Sequence, residues 1–252
     1  ANYGIKCERI PVMTDGIDVS YLKELKTDII HISPSHHFPT GAITSVGKRY
    51  ALLEWASQSP DRFIIEDDYD SEFRLSGKPI PSMYSIDVMD KVIYMNTFSK
   101  SLASIGGFIA SDSSIINWLR HNTRTYIFSA SNTPAATAAA MEALHVIQEE
   151  PERQERLWDV TNYALKLFRD NGFEIGATES PIIPLYVRDV DKTFLVTRKA
   201  FEEGVFINPV IPPACAPQDT LVRFALMATH TKEQVDLAVQ RLVKVFKELD
   251  LL

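Results

Sequence analysis

The chain has 252 residues, 45% of them hydrophobic and 23% charged, with a net charge of -7 and a pI near 5.4. This is ordinary globular composition, with room for one large core or two modest ones. The acidic balance argues against nucleic acid or an anionic membrane surface as partner, and no apolar run reaches the ~18 residues of a membrane span.

The first half alternates strand and helix. "IKCERIPV" (5–12) reads as a strand, and "DVSYLKEL" (18–25) as a short helix with Asp18 or Ser20 as its cap. "DIIHIS" (28–33) is an apolar strand that runs into the loop "PSHHFPTGA" (34–42). "SVGKRYALLEWASQ" (45–58) has helical periodicity, with Tyr50, Leu53 and Trp55 among its apolar positions. "RFIIEDDY" (62–69), "KVIYMNTF" (91–98) and "GGFIAS" (106–111) are further strands. Near-continuous Ile, Val and Phe runs fit strands buried on both faces. The expected fold class is therefore α/β, a mainly parallel, helix-covered sheet.

The second half changes character. "TPAATAAAMEALHVIQEE" (133–150) is an Ala-rich helix, and "RQERLWDVTNYALKLFRDNG" (153–172) an amphipathic one stopped by Asn171-Gly172. Short strands, "FEIG", "IIPLYV", "GVFIN" and "LVRFAL", then alternate with helices at 191–203 and 232–249. This predicts a large domain over 1–150 and a small α+β domain over 151–252. Cys7 and Cys215 stand far apart without metal-type spacing, which points to a reduced, cytoplasmic protein.

In parallel sheets, ligands sit at the carboxyl ends of the strands. The polar residues of interest lie there: Ser35 to Gly41, Asp67 to Asp70, and Thr97 to Lys100. Lys100 sits among hydroxyls in "NTFSKSLASIGG" (96–107). A lysine can form an imine with an aldehyde, and hydroxyls ahead of a helix can hold a phosphate. Together they suggest a phosphorylated aldehyde, pyridoxal 5'-phosphate, although a surface lysine after a strand would look the same. Asp67 lies one helix-and-strand excursion before Lys100, so the two can face one crevice. A carboxylate there would keep the cofactor's ring nitrogen protonated. Tyr69 shares its face at i+2 and can meet the phenolic oxygen. A solvated or metal-binding acidic cluster is the rival reading of Glu66 to Asp68.

His36 and His37 either touch a ligand or order their loop. His31 reads as a satisfied core histidine, as do His121 and His145. Arg223, in the middle of a strand, needs a partner, either a substrate carboxylate or a structural Asp or Glu. "IFSASNTPA" (127–135), with Ser129, Ser131 and Thr133, is either an anion site or a plain helix cap.

With "SPSHHFPTG", "IIEDDYDSEF" and "NTFSKS" in that order, the chain resembles the fold-type-I pyridoxal-phosphate enzymes, the aspartate-aminotransferase superfamily. The resemblance implies Lys100 as imine lysine, Asp67 at the ring nitrogen and Tyr69 at the phenolic oxygen. Residues 1–95 resemble the aminotransferase-like domain of MocR-type regulators. Residues 92–252, through "TFSKSLASIGGFIASD", "FSASNTPAATAAAMEAL" and "VRFALMATHT", resemble α-oxoamine synthases such as serine palmitoyltransferase and 2-amino-3-ketobutyrate CoA ligase. The second resemblance implies Thr97 and Ser99 near the phosphate, and Arg223 on the amino-acid carboxylate. It also implies a homodimer in which the loop holding Ser131 and Thr133 reaches the partner's cofactor. The function implied is condensation of an amino acid with an acyl-CoA and loss of carbon dioxide. A non-catalytic regulator domain binding cofactor and an amino-acid effector is one alternative, and an inactive chimera joined near 92–100 is another. The synthases carry Asp-x-x-His at the ring-nitrogen Asp, whereas this chain reads Asp67-Asp68-Tyr69-Asp70. The regulators carry an Arg shortly past the lysine, which "SLASIGG" lacks. Both families place a long stretch ahead of residue 1, and without it sheet edges and apolar faces are expected to be exposed.

Overall fold

A computed structural model describes residues 6–38, 40–68, 80–97, 106–123 and 131–252. The chain opens with a two-stranded antiparallel hairpin, β1 (Val12–Met13) and β2 (Gly16–Ile17). The strand expected over residues 5–12 is thus confined to its last residue and Met13. Helix α1 (Val19–Glu24) follows, and Asp18 caps it by accepting from the N–H groups of Ser20 and Tyr21.

The larger sheet has the order β3 (Ile29–Ile32), β4 (Phe63–Asp67), β5 (Val92–Thr97), β6 (Gly107–Ala110). β3, β4 and β5 are parallel, and β6 closes the edge antiparallel to β5. Helix α2 (Val46–Ser57), capped by Ser45, crosses from β3 to β4, and the short α3 (Met83–Ile86) precedes β5. Side chains alternate along each strand, so register decides which residues share a face. Ile30, Ile32, Ile64 and Val92 face α2 and form one core with Leu52, Trp55, Ala56 and Met83. Tyr50, expected among the apolar helix positions, is 55% exposed, on the outer side of α2. The opposite sheet face carries Ile29, His31, Phe63, Ile65, Asp67, Ile93, Met95 and Ile109. Ile29 is 57% exposed, Ile109 45%, and Phe63, Ile65, Ile93 and Met95 are half-buried. Helices thus cover one face of this sheet more fully than the other.

After β6 come α4 (Ser113–Asn122), α5 (Pro134–Glu149) and α6 (Pro151–Asp170). Helix α6 ends at Asn171, and Gly172 takes φ +82°, a left-handed turn that suits glycine. The second sheet is antiparallel, in the order β7 (Ile182–Tyr186), β9 (Leu221–Ala225), β8 (Asn208–Val210). It packs with α6, α7 (Val190–Glu202) and α8 (Lys232–Glu248) around a second core that includes Phe168, Ile183, Leu185, Val196, Val239 and Phe246. Residues 173–176, expected as a strand, are irregular. Phe173 and Ile175 bury their side chains in this core without strand pairing.

A buried polar pair ties the first sheet to the loop that follows β3. Arg49 of α2 and Glu66 of β4 are both fully buried, 3.8 Å apart. Arg49 donates to the carbonyls of Thr44, Pro81 and Pro34 at 3.0, 2.9 and 2.9 Å. Glu66 accepts from the N–H groups of Met83 and Tyr84, each at 2.9 Å. Burial pushes the Glu66 carboxyl above its ordinary range, and these two N–H groups and Arg49 oppose that shift. The loop's own bonds complete it. The His37 N–H donates to Ala42, Gly41 to His37, and Thr44 to Pro34, at 2.8–2.9 Å.

The stability of substituted chains tests this loop and its anchor. Arg49→Leu should cost about 3–5 kcal/mol, because it strands a buried carboxylate and three carbonyls. Arg198→Ala, at an exposed i,i+4 pair with Glu202, should cost at most about 0.5 kcal/mol. Urea unfolding of both variants checks the contrast, and equal losses would refute the anchoring role. Burial also pushes the His37 imidazole below its ordinary pKa. A depressed histidine adds stability that is full above about pH 6.5 and is lost as pH falls through the folded value. His37→Gln should therefore flatten the fall in urea midpoint between pH 7.5 and 5.5.

Candidate functional site

The acidic triplet at the end of β4 is divided by strand alternation. Glu66 belongs to the buried anchor described above. Asp68, also buried, accepts from the Tyr94 hydroxyl at 2.9 Å, and Asn96 donates to that hydroxyl at 3.2 Å. Asp67 alone points to the less covered face, with its side chain 27% exposed. The single acidic cluster of the sequence reading is thus three carboxylates with three different surroundings.

His31 sits beside Asp67, with Nε2 3.5 Å from Oδ2. The expectation of a core histidine is overturned. β3 is an edge strand, and His31 falls on its less covered face with its side chain 60% exposed. His121 and His145 are exposed too, on helices α4 and α5, which bury no residue and Ala140 alone, respectively. His37 is half-buried, and its Nδ1 lies 3.3 Å from Thr40 Oγ1, a contact internal to the loop. Ser35, in the same loop, is buried, and its Oγ has no hydrogen-bond partner.

β4 and β5 place Asp67 opposite Met95, two residues before Thr97. Thr97 in turn lies opposite Gly107, whose α-carbon has no room for a side chain. A Cβ there would fall 2.3 Å from the Asn96 carbonyl oxygen. Ser99, Lys100 and Tyr69 lie outside the described residues. Ser131 is exposed. Thr133 is the N-cap of α5, its Oγ1 accepting from the Ala136 N–H at 3.2 Å.

Arg223 reaches the site from the second sheet. It stands mid-strand on β9, the central strand, with Pro184 and Asn208 opposite. Its guanidinium lies over the ring of Phe38, in the loop after β3, 5.4 Å from the centroid. No Asp or Glu among the described residues pairs with it, so the structural-carboxylate reading finds no partner there. The same loop touches the second half of the chain again at Gly41. Its φ is +69°, and a Cβ there would meet Thr178 Oγ1 at 2.5 Å. The loop after β3 therefore has Asp67 and His31 on the neighbouring strand ends, Ser35 within it, and Arg223 above it. Sequence reasoning singled out Asp67 and Arg223. It missed Phe38 and misplaced His31, since nothing local marks a residue whose partner is remote in sequence.

The residues present suit a phosphorylated pyridine aldehyde. An unpartnered buried hydroxyl, a carboxylate at a strand end and a guanidinium without a carboxylate partner lie around one loop. Among the described residues no helix is long and apolar enough to cross a membrane.

Comparison with known proteins agrees. A family model described as aminotransferase class I and II matches residues 3–242. Serine palmitoyltransferase of Bacteroides ovatus is 81% identical over 160 residues, 64% of this chain and 41% of that protein. The 8-amino-7-oxononanoate synthase of Petrotoga mobilis is 30% identical over 245 residues, 96% of this chain and 56% of that protein. The solved serine palmitoyltransferase of Sphingomonas wittichii superposes with a TM-score of 0.75 at 22% identity, over 93% of this chain and 59% of that one. At that identity the structural likeness speaks to the fold. The chain thus spans about two fifths of the length of the serine palmitoyltransferase it matches at 81%. These relatives are synthases, and they do not favour the regulator or inactive-scaffold alternatives. The chain belongs to the aminotransferase class I and II family and, within it, is similar to the α-oxoamine synthases.

Proposed function

We propose that this chain carries the lysine-bearing part of a pyridoxal-phosphate-dependent α-oxoamine synthase, which joins an amino acid to an acyl-CoA with loss of carbon dioxide. The observation that carries the reading is the convergence on the loop after β3. Asp67 flanks it through His31, and Arg223 reaches it through Phe38. When bound, the cofactor supplies an electron sink for the carbanion left at the amino acid's α-carbon. Lys100 holds the cofactor's aldehyde carbon and moves protons at the α-carbon. Asp67 holds the proton on the ring nitrogen, and Tyr69 meets the phenolic oxygen. Thr97 and Ser99 bind the phosphate. His37 orders the loop beside the cofactor, and Arg223 takes the substrate carboxylate in its planar fork.

The same proposal includes a cofactor-binding part over 1–150 and a smaller part over 151–252, supported by the two separate cores. It includes a cytoplasmic homodimer in which Ser131 and Thr133 face the partner's cofactor. Support for the dimer comes from apolar surface on α4 and α5: Trp118 is 62% exposed, Met141 58% and Leu144 43%.

Borohydride treatment of the purified protein with pyridoxal phosphate should leave one stable adduct, located on Lys100 by peptide mass spectrometry. Lys100→Ala should lose that adduct and the matching absorbance band. Adducts spread over surface lysines, unchanged in Lys100→Ala, would refute the assignment.

A further inference from the structure

We infer that Phe38 is a positioning residue. Its ring orients the Arg223 guanidinium toward a carboxylate ligand while leaving the guanidinium's N–H donors unspent. The inference rests on the reading of Arg223 as a carboxylate anchor and goes beyond it by naming what aims the anchor.

An arginine in the middle of a strand has a fixed backbone and a long, freely rotating side chain. Something must choose its rotamer. Two other described arginines are held by groups that use up donors, even where, as at Arg188 over Tyr186, an aromatic ring lies beneath. Arg49 spends its donors on three carbonyls. Arg188 is held by the carboxylates of Glu174 and Asp219 and by the Gln218 carbonyl. Arg223 differs. Among the described residues its partner is the face of Phe38, with the guanidinium carbon 5.4 Å from the centroid. That lies within the range of a cation–π contact. An aromatic face attracts the charge without accepting an N–H bond at the edge of the fork. The five donors stay available to a planar anion.

The loop can perform this task because it is held from both sides. Arg49 binds the Pro34 and Thr44 carbonyls at its two ends, and Gly41 packs against Thr178 of the second half. Phe38, 38% exposed, sits between those anchors. It thereby sets the guanidinium of the second sheet relative to the strand ends of the first, where Asp67 lies. A carboxylate anchor that drifted relative to Asp67 would misplace a substrate spanning the two.

Side-chain NMR of the purified chain tests this without cofactor or turnover. The Arg223 Nε–Hε signal is assigned by its loss in Arg223→Lys. Phe38→Leu should move that signal away from its ring-shifted position, and Phe38→Tyr should keep it. Propionate, added at constant ionic strength, serves as the carboxylate probe. It should shift the Arg223 signal in the parent and in Phe38→Tyr with the same midpoint. In Phe38→Leu the midpoint should be about three- to fivefold higher. An unmoved signal and midpoint in Phe38→Leu would overturn the positioning role and leave the carboxylate anchor standing. A parent signal indifferent to propionate would overturn the carboxylate anchor itself, and the positioning role with it. Phe38→Leu lies at a partly exposed position away from both cores, so it leaves the fold intact for the comparison.

Discussion

The site depends on one buried ion pair. Arg49 and Glu66 are fully removed from water, and isolated charges there would be strongly unfavourable. They are tolerated because their remaining hydrogen-bonding capacity is spent on backbone groups from three separate segments. Those segments are the loop after β3, the residues before α3, and the start of α3 itself. The bonds are directional, so the pair fixes where these segments stand relative to β4. A hydrophobic substitute of similar size could fill the space but could not aim the carbonyls. The geometry of the loop, and of Phe38 upon it, follows from that constraint.

The same strand that supplies Glu66 supplies Asp67, and the two residues have opposite tasks. Alternation sends Glu66 into the helix-covered core and Asp67 to the less covered face. A one-residue slip of β4 would exchange them. It would bury the carboxylate proposed to meet a ligand and expose the one that holds the loop. The parallel pairing of β4 with both β3 and β5, over four residues each, guards against such a slip.

Much of this was legible in the sequence, for identifiable reasons. The α/β class, the presence of strands within 28–33, 62–69 and 91–98, and the helices over 45–58, 133–150 and 153–172 follow from periodicity and local caps. Asp18, Ser45 and Thr133 cap their helices as their residue types suggest. What stayed hidden depends on contacts distant along the chain. His31 looks like a core residue on an apolar strand, until the strand proves to lie at the sheet edge. Residues 173–176 look like a strand, yet their apolar side chains are buried while the backbone makes one bond to β7, from Tyr186 to Glu174, and no ladder. Phe38 and Arg223 are far apart in the chain, and no spacing rule joins them. Glu66, Asp67 and Asp68 look alike in sequence, and only register tells them apart.

The less covered face of the first sheet bears directly on the strength of the site. Ile29, Phe63, Ile65, Ile93, Met95 and Ile109 share it with Asp67 and His31. Apolar side chains in such number favour burial at roughly 25 cal/mol per Å² removed from water. The synthases that this chain resembles carry considerably more polypeptide than it does. Cover over this face, from whatever source, would do more than shield the apolar residues. It would take Asp67 out of a high-dielectric surface, where a charge pair at 4 Å is worth about 1 kcal/mol, into a medium where it is worth several times more. A carboxylate that holds a proton on a neighbouring ring nitrogen acts through that attraction. The stability of the sheet and the electrostatic power of Asp67 therefore rise together, because the same removal of water strengthens both.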